Sequence, residues 1–145
     1  LTIDLAKLHK QLIRHEGLKL SAYQDSLGYW TIGTGRLIDA RKGGGISENE
    51  ADYLLSNDVV EVMGGLDKAL PWWNDLDEVR QRVLADLCFN LGLAGLLKFR
   101  ATLAAWEAGD YERAADGLKA SKWYGQVKTR GPRLAQMLRT GQDVA

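Results

Sequence analysis

The stretch His15-Glu16-Gly17-Leu18-Lys19-Leu20-Ser21-Ala22-Tyr23-Gln24-Asp25-Ser26-Leu27-Gly28-Tyr29-Trp30-Thr31-Ile32-Gly33-Thr34-Gly35 contains a change of hydrophobic period that decides the fold. Upstream of it, Leu5, Leu8 and Leu12 recur at helical spacing with Ile13 beside them, which predicts an amphipathic helix. Gly17 stands where a helix commonly stops. From Leu18 the period becomes two: Leu18, Leu20 and Ala22 alternate with Lys19 and Ser21, predicting a strand. Gln24-Asp25-Ser26-Leu27-Gly28 is turn-forming, and the β-branched and aromatic run Tyr29-Trp30-Thr31-Ile32 predicts a returning strand. Asp25 therefore tops a β-hairpin that follows the helix directly.

Two carboxylates in this stretch meet different surroundings. Glu16 lies four residues after Leu12, on the apolar side of the helix and away from Lys7, Lys10 and Arg14. Partial desolvation and the negative end of the helix dipole both disfavour its anion, while Arg14 and His15 oppose them. A Glu that keeps its proton can deliver it to a leaving oxygen. On spacing alone, an exposed carboxylate at a helix end is the favoured reading. Asp25, in a short polar loop, stays hydrated and suits the orientation or deprotonation of water. Thr31 can offer its hydroxyl to the same water, or serve only as a good strand former. Carboxyl groups with unlike environments are what acid and base work at one glycosidic bond requires.

The run from Glu16 to Leu37 resembles the catalytic hairpin of the phage-type lysozymes, the T-even bacteriophage endolysin family, glycoside hydrolase family 24. The shared pattern is Glu, eight residues, Asp, five residues, Thr, inside Gly-Tyr-aromatic-Thr-Ile-Gly. The similarity continues through Asn57-Asp58-Val59, Leu76-Asp77-Glu78-Val79-Arg80, Phe89-Asn90-Leu91-Gly92, Lys122-Trp123-Tyr124 and Arg139-Thr140-Gly141. The resemblance implies Glu16 as general acid, Asp25 as the carboxylate that handles water, and Thr31 as the hydroxyl that helps hold it. It implies substrate-binding roles for Leu37, Phe89, Asn90, Thr102 and Arg130. Gly117 departs from the pattern, because the family can place an amide side chain there. The activity implied is inverting hydrolysis of the β-1,4 bond between N-acetylmuramic acid and N-acetylglucosamine in bacterial peptidoglycan, by a monomer without cofactor or metal. The implied location is the host bacterial cytoplasm until release to the periplasm and cell wall.

The fold expected is α+β and lysozyme-like: a small N-terminal lobe with a β-hairpin, joined by a long helix to a helical C-terminal lobe. Residues 1–145 form one such domain, with lobe one over about 14–60 and lobe two over about 61–145 plus the N-terminal helix. After the loop Asp39 to Gly45, Ser47-Glu48-Asn49-Glu50 reads as a capping box and predicts the start of the long helix. Ala51, Leu54, Leu55, Val59 and Met63 continue it, and Gly64-Gly65 weakens or ends it. Val79, Val83, Leu84 and Leu87 predict a strongly apolar helix stopping near Gly92. Further helices are expected over Arg100 to Ala108, Tyr111 to Ala120 and Pro132 to Leu138, with breaks at Gly109 and Gly125. Trp72-Trp73 and Trp123-Tyr124 read as packing aromatics, with sugar-stacking platforms as the alternative.

Composition bounds the remaining classes. A chain of 145 residues with 46% hydrophobic and 26% charged content can bury a real core. No apolar run approaches the roughly 18 residues of a membrane helix, so no stable membrane insertion is expected. The N-terminus carries Asp4 and lacks a basic region followed by an apolar core, so no signal peptide is expected. The single cysteine, Cys88, allows no internal disulfide and reads as a packing residue. His15-Glu16 begins a zinc-type His-Glu-x-x-His motif that fails at Lys19, so no metal site is expected. Nineteen basic residues balance nineteen acidic ones, which excludes a generally basic nucleic-acid protein. Lys119, Lys122, Lys128, Arg130, Arg133 and Arg139 nevertheless occupy a segment without Asp or Glu, either a face for an anionic polymer such as peptidoglycan or a solvated helical surface. A lytic transglycosylase and a non-catalytic wall-binding module are the competing functions; neither needs both Glu16 and Asp25.

Overall fold

The computed structural model describes residues 3–42 and 45–144, and the chain forms two compact units, Leu1–Tyr53 and Leu54–Ala145. Gly43 and Gly44 of the expected loop lie outside the described residues. Secondary structure is α+β, as the sequence predicts.

In the first unit, helix α1 (Leu5–Glu16) starts at Asp4, whose carboxylate accepts the Lys7 N–H at 3.0 Å. Such a cap satisfies one of the orphan donors of a first turn. Gly17, at φ 81°, ends the helix and donates its N–H to the Ile13 carbonyl at 2.8 Å. Leu8 and Ile13 of the apolar stripe are half-buried. Strands β1 (Lys19–Gln24), β2 (Trp30–Gly33) and β3 (Arg36–Leu37) then form an antiparallel sheet in that order. Tyr23 pairs with Thr31 and Gln24 with Trp30, while the register is irregular between Lys19 and Tyr23. The sequence expectation holds only the two hairpin strands, with no third strand beyond Gly33-Thr34-Gly35. Those residues instead turn the chain back so that Thr31 pairs with Leu37 and Ile32 with Arg36. A two-residue strand carries no periodicity to read; only its ladder defines it.

Helix α2 (Glu48–Ala69) begins with the reciprocal capping box: Glu50 N–H donates to Ser47 Oγ and Ser47 N–H to the Glu50 carboxylate, both at 3.2 Å. The helix runs through Gly64-Gly65, against the expectation that it weakens or stops there. A helical glycine costs only about 1 kcal/mol relative to alanine. Tertiary packing outweighs that cost: Leu66 is fully buried, and a β-carbon on Gly65 would stand 3.3 Å from Leu93 Cδ2. The helix ends before Pro71, which has no N–H to continue the ladder.

The rest of the second unit is helical. A 3₁₀ turn (Pro71–Asp75) leads to α3 (Glu78–Leu91), α4 (Leu93–Leu96), α5 (Arg100–Glu107), α6 (Tyr111–Lys119), α7 (Lys122–Gln126) and α8 (Arg130–Thr140). Gly125 lies inside α7 rather than at a break, because Ser121 caps that short helix by accepting the Tyr124 N–H. Helix α8 starts two residues before Pro132, whose ring is tolerated in a first turn where N–H groups lack intrahelical partners. Val83, Leu84 and Leu87 of α3 are fully buried with Leu66, Leu96, Trp106, Leu118 and Leu138. Both aromatic pairs pack in this core: Trp73 and Trp123 are buried, and Trp72 and Tyr124 lie against it. Cys88 is buried there too, as expected. Among the described residues no helix is long and apolar enough to cross a membrane.

Candidate active site

The first unit holds Glu16 on α1, Asp25 in the β1–β2 turn, Thr31 on β2 and Leu37 on β3. Glu16 is the last residue of α1. Its carboxyl lies against the turn between β2 and β3: a β-carbon placed on Gly35 would be 2.6 Å from Glu16 Oε2 and 3.0 Å from its Cδ.

Asp25 occupies the β1–β2 turn and is held by the backbone that follows it. Its Oδ1 accepts the Leu27 N–H at 2.9 Å and the Tyr29 N–H at 2.8 Å. The Asp25 N–H donates to the Tyr29 carbonyl at 2.9 Å, and the Gly28 N–H to the Asp25 carbonyl at 3.0 Å. This is an Asx-type turn, in which the short side chain substitutes for a backbone acceptor. One carboxylate oxygen is thereby fixed in direction and the other is left for an outside partner.

Thr31, in the middle strand, is 3% exposed and donates its hydroxyl to the Tyr29 carbonyl at 3.1 Å. With its proton so directed, Oγ1 retains lone pairs that can accept from a water. The peptide groups of Tyr29 thus connect Asp25 and Thr31, one N–H to the carboxylate and one carbonyl to the hydroxyl. Sequence reading missed Tyr29 because a backbone role leaves no mark on side-chain type. Leu37 is exposed on β3 beside Thr31 in the ladder.

In the second unit, Phe89 and Arg130 line one cavity of about 230 Å³, together with Leu55, Val59, Val62, Ala85 and Asp86. Phe89 also borders a cavity of about 390 Å³ with Asp58, Glu61 and Val62 of α2 and with Cys88. Burial pushes the Cys88 thiol up, which suits packing rather than nucleophilic work. Arg130 is engaged by Asp86, with Nε at 2.8 Å and Nη2 at 2.7 Å from the same carboxylate oxygen. Asp86 is the partner that sequence reading did not anticipate. Asn90 Oδ1 accepts the Trp123 indole N–H at 2.8 Å, so its amide NH₂ is the end left for other work. Thr102 is 7% exposed on α5, and its hydroxyl occupies the place where a β-carbon on Gly117 of α6 would stand. An amide side chain at this position, which the resemblance allows, would have to displace the Thr102 hydroxyl.

Comparison with known proteins shows the family. The Phage lysozyme family model matches residues 13–139. The chain is 31% identical to the pre-baseplate central spike protein of Enterobacteria phage T4, over 91% of this chain and 27% of that protein. It is 27% identical to a probable T4-type lysozyme of Dictyostelium discoideum, over 94% of this chain and 96% of that protein. It is 36% identical to an endolysin of Bacillus phage B103, over 77% of this chain and 43% of that protein. The chain thus spans about a quarter of the spike protein and nearly all of the Dictyostelium lysozyme. With a matched region that includes Glu16, Asp25 and Thr31 and extends into α8, the chain belongs to the phage lysozyme family.

Proposed function

We propose that this lysozyme-family glycosidase hydrolyses the β-1,4 bond between N-acetylmuramic acid and N-acetylglucosamine in bacterial peptidoglycan. The observation that supports this most is the pair of differently held carboxyls in the first unit: Glu16 at the end of a helix against Gly35, and Asp25 in a turn whose backbone occupies only one of its oxygens. In this reading Glu16 delivers a proton to the glycosidic oxygen as the bond breaks. Asp25 Oδ2 takes a proton from the attacking water, and Thr31 Oγ1 accepts a hydrogen bond from that water and aims it. Water supplies the new hydroxyl at the sugar carbon, the leaving sugar keeps the proton from Glu16, and the two carboxyls exchange protonation states to be reset by solvent.

In this reading Phe89 and the Asn90 NH₂ meet the sugar, and Arg130, held by Asp86, lines the same cavity as Phe89. Aromatic faces and amide groups are the usual partners of a sugar's C–H and hydroxyl surfaces. The place of action is the cell wall, reached from the host cytoplasm.

The test is clearing of permeabilised Gram-negative cells by the purified chain, followed by mass spectrometry of the released sugar ends. Reducing muramic acid ends are expected. Anhydro-muramic ends would identify a lytic transglycosylase, and binding to walls without cleavage would identify a non-catalytic module. The likeness to a spike protein favours one second reading, a lysozyme unit carried by the virion; co-purification of activity with phage particles rather than with the host lysate would decide for it.

A further inference from the structure

We infer that Gly35 is a positioning residue for the Glu16 proton donor, and that its missing side chain is the space in which the carboxyl is aimed. This rests on the reading of Glu16 as general acid. The Gly35 backbone runs along the end of the Glu16 side chain: a β-carbon there would meet Oε2 at 2.6 Å, Cδ at 3.0 Å and Cβ at 3.1 Å. The Gly35 main chain therefore borders the end of this exposed side chain, on a side where there is no room for a β-carbon.

Two separate requirements select glycine at this position. The backbone stands at φ 64°, in the left-handed region that L side chains rarely adopt. The carboxyl contact is the second requirement, and the neighbouring Gly33 separates the two. Gly33, the last residue of β2 just before the turn, has nearly the same φ, 68°, and a β-carbon on it would meet nothing within 4 Å. Strain alone is common to both glycines; contact with Glu16 belongs to Gly35.

The contact also has an asymmetric consequence. The atoms that a methyl group would strike are chiefly the far end of a flexible side chain, so the fold can yield by moving the carboxyl. That same movement takes the proton donor off its line to the glycosidic oxygen, and a misplacement of about 1 Å can cost roughly 10²-fold in rate.

The experiment compares Gly35→Ala with Gly33→Ala on soluble glycan–peptide oligomers, with Glu16→Gln alongside. Both alanine variants should lose similar thermal stability. Gly35→Ala should in addition lose about 10- to 100-fold in kcat with KM little changed, whereas Gly33→Ala should stay within about 3-fold of the parent. A chain carrying D-alanine at position 35, which fits the positive φ and points its methyl away from Glu16, should recover the parent kcat and keeps the test open if the L-alanine variant does not fold. Equal kcat values for the two L-alanine variants, or a D-alanine chain as slow as the L-alanine one, with Glu16→Gln inactive, would overturn the role of Gly35 alone. An active Glu16→Gln protein would overturn the assignment of Glu16 beneath it.

Discussion

Arg80 of α3 donates its Nε–H to the carbonyl of Leu138 near the end of α8, at 2.6 Å. Nη2 reaches the Arg139 carbonyl at 3.0 Å, Nη1 reaches Asp77 at 3.0 Å, and the guanidinium lies 3.6 Å from the centre of the Tyr111 ring on α6. One side chain thus satisfies two terminal carbonyls of α8 with a positive charge, which is also what the helix dipole favours there. Hydrogen bonds from a charged donor contribute about 1.5 to 3 kcal/mol and a desolvated cation–π contact about 1 to 2, with overlap between them. Arg80→Ala should therefore destabilise the second unit by about 2 to 4 kcal/mol in urea melts. Arg80→Lys should recover only part of this, since an ammonium cannot reproduce the fork. A melt unchanged by Arg80→Ala would show that the clamp is dispensable.

Asp67, near the end of α2, accepts the Trp73 indole N–H at 2.8 Å and the Asn74 amide at 3.1 Å. These bonds, Trp73 first, hold the Asp67 carboxyl below the ordinary value of 3.8. The folded protein then binds this proton more weakly than the unfolded chain, so the stabilisation is complete above the ordinary value and is lost as pH falls through the lower one. The difference in Tm between the parent and Asp67→Ala should be constant near neutrality and shrink below pH 3.8. A difference that is flat through the acid range would remove the role of these two bonds.

The absence of a β-carbon at Gly117 of α6 leaves the space that the Thr102 hydroxyl of α5 occupies. Overpacking costs about 1 to 3 kcal/mol, against a helix-propensity gain of about 1 for replacing glycine by alanine. Gly117→Ala should be destabilising in the parent and neutral or stabilising in a Thr102→Ala background. Gly117→Asn, which adds the amide side chain that the resemblance allows here, should lower stability and fail to improve wall cleavage. Additive effects of the two alanine substitutions in a double-mutant cycle would contradict the close contact.

Glu16→Gln should leave the melting curve unchanged and reduce cell clearing by about 10²- to 10⁴-fold, the range that general acid help typically supplies. If Asp25 holds water rather than attacking the sugar, a β-linked substrate should release the α-anomer first. Time-resolved NMR showing the β-anomer first, or a glycosyl adduct on Asp25 by mass spectrometry, would exclude inversion while leaving the bond specificity standing.

Between Gly117 and Gln142 the chain has no acidic residue, and Lys119, Lys122, Lys128, Arg133 and Arg139 are exposed while Arg130 pairs with Asp86. If these cations attract the anionic wall, clearing should fall as salt rises past about 0.15 M, where the Debye length is about 8 Å. Lys122→Glu with Lys128→Glu should weaken clearing of whole walls more than cleavage of short uncharged oligomers. Equal losses on both substrates would point to damage of the fold.

The sequence by itself determined where local chemistry is decisive. The stripe ending at Glu16, the alternation after Leu18, the turn at Asp25 and the Ser47–Glu50 capping box are all short-range patterns, and each became the expected element within a residue or two. The family was legible for a related reason, since Glu16 at the helix end and Asp25 and Thr31 in the hairpin that follows carry it at fixed spacing. Tertiary structure decided what depends on residues distant in the chain. It carried α2 through Gly64-Gly65 because Leu66 is buried in the core and Leu93 packs on Gly65, and it made a strand of Arg36–Leu37 because β2 offered a free edge. It gave Arg130 to Asp86, tied Asn90 to Trp123 and filled the space beside Gly117 with the Thr102 hydroxyl. It also brought the Gly35 backbone against the Glu16 carboxyl, a contact across nineteen positions of sequence that no local preference specifies. A side chain's type and its near neighbours set its local conformation, whereas its partners are chosen by packing of the whole unit, where backbone and side-chain atoms compete for the same space.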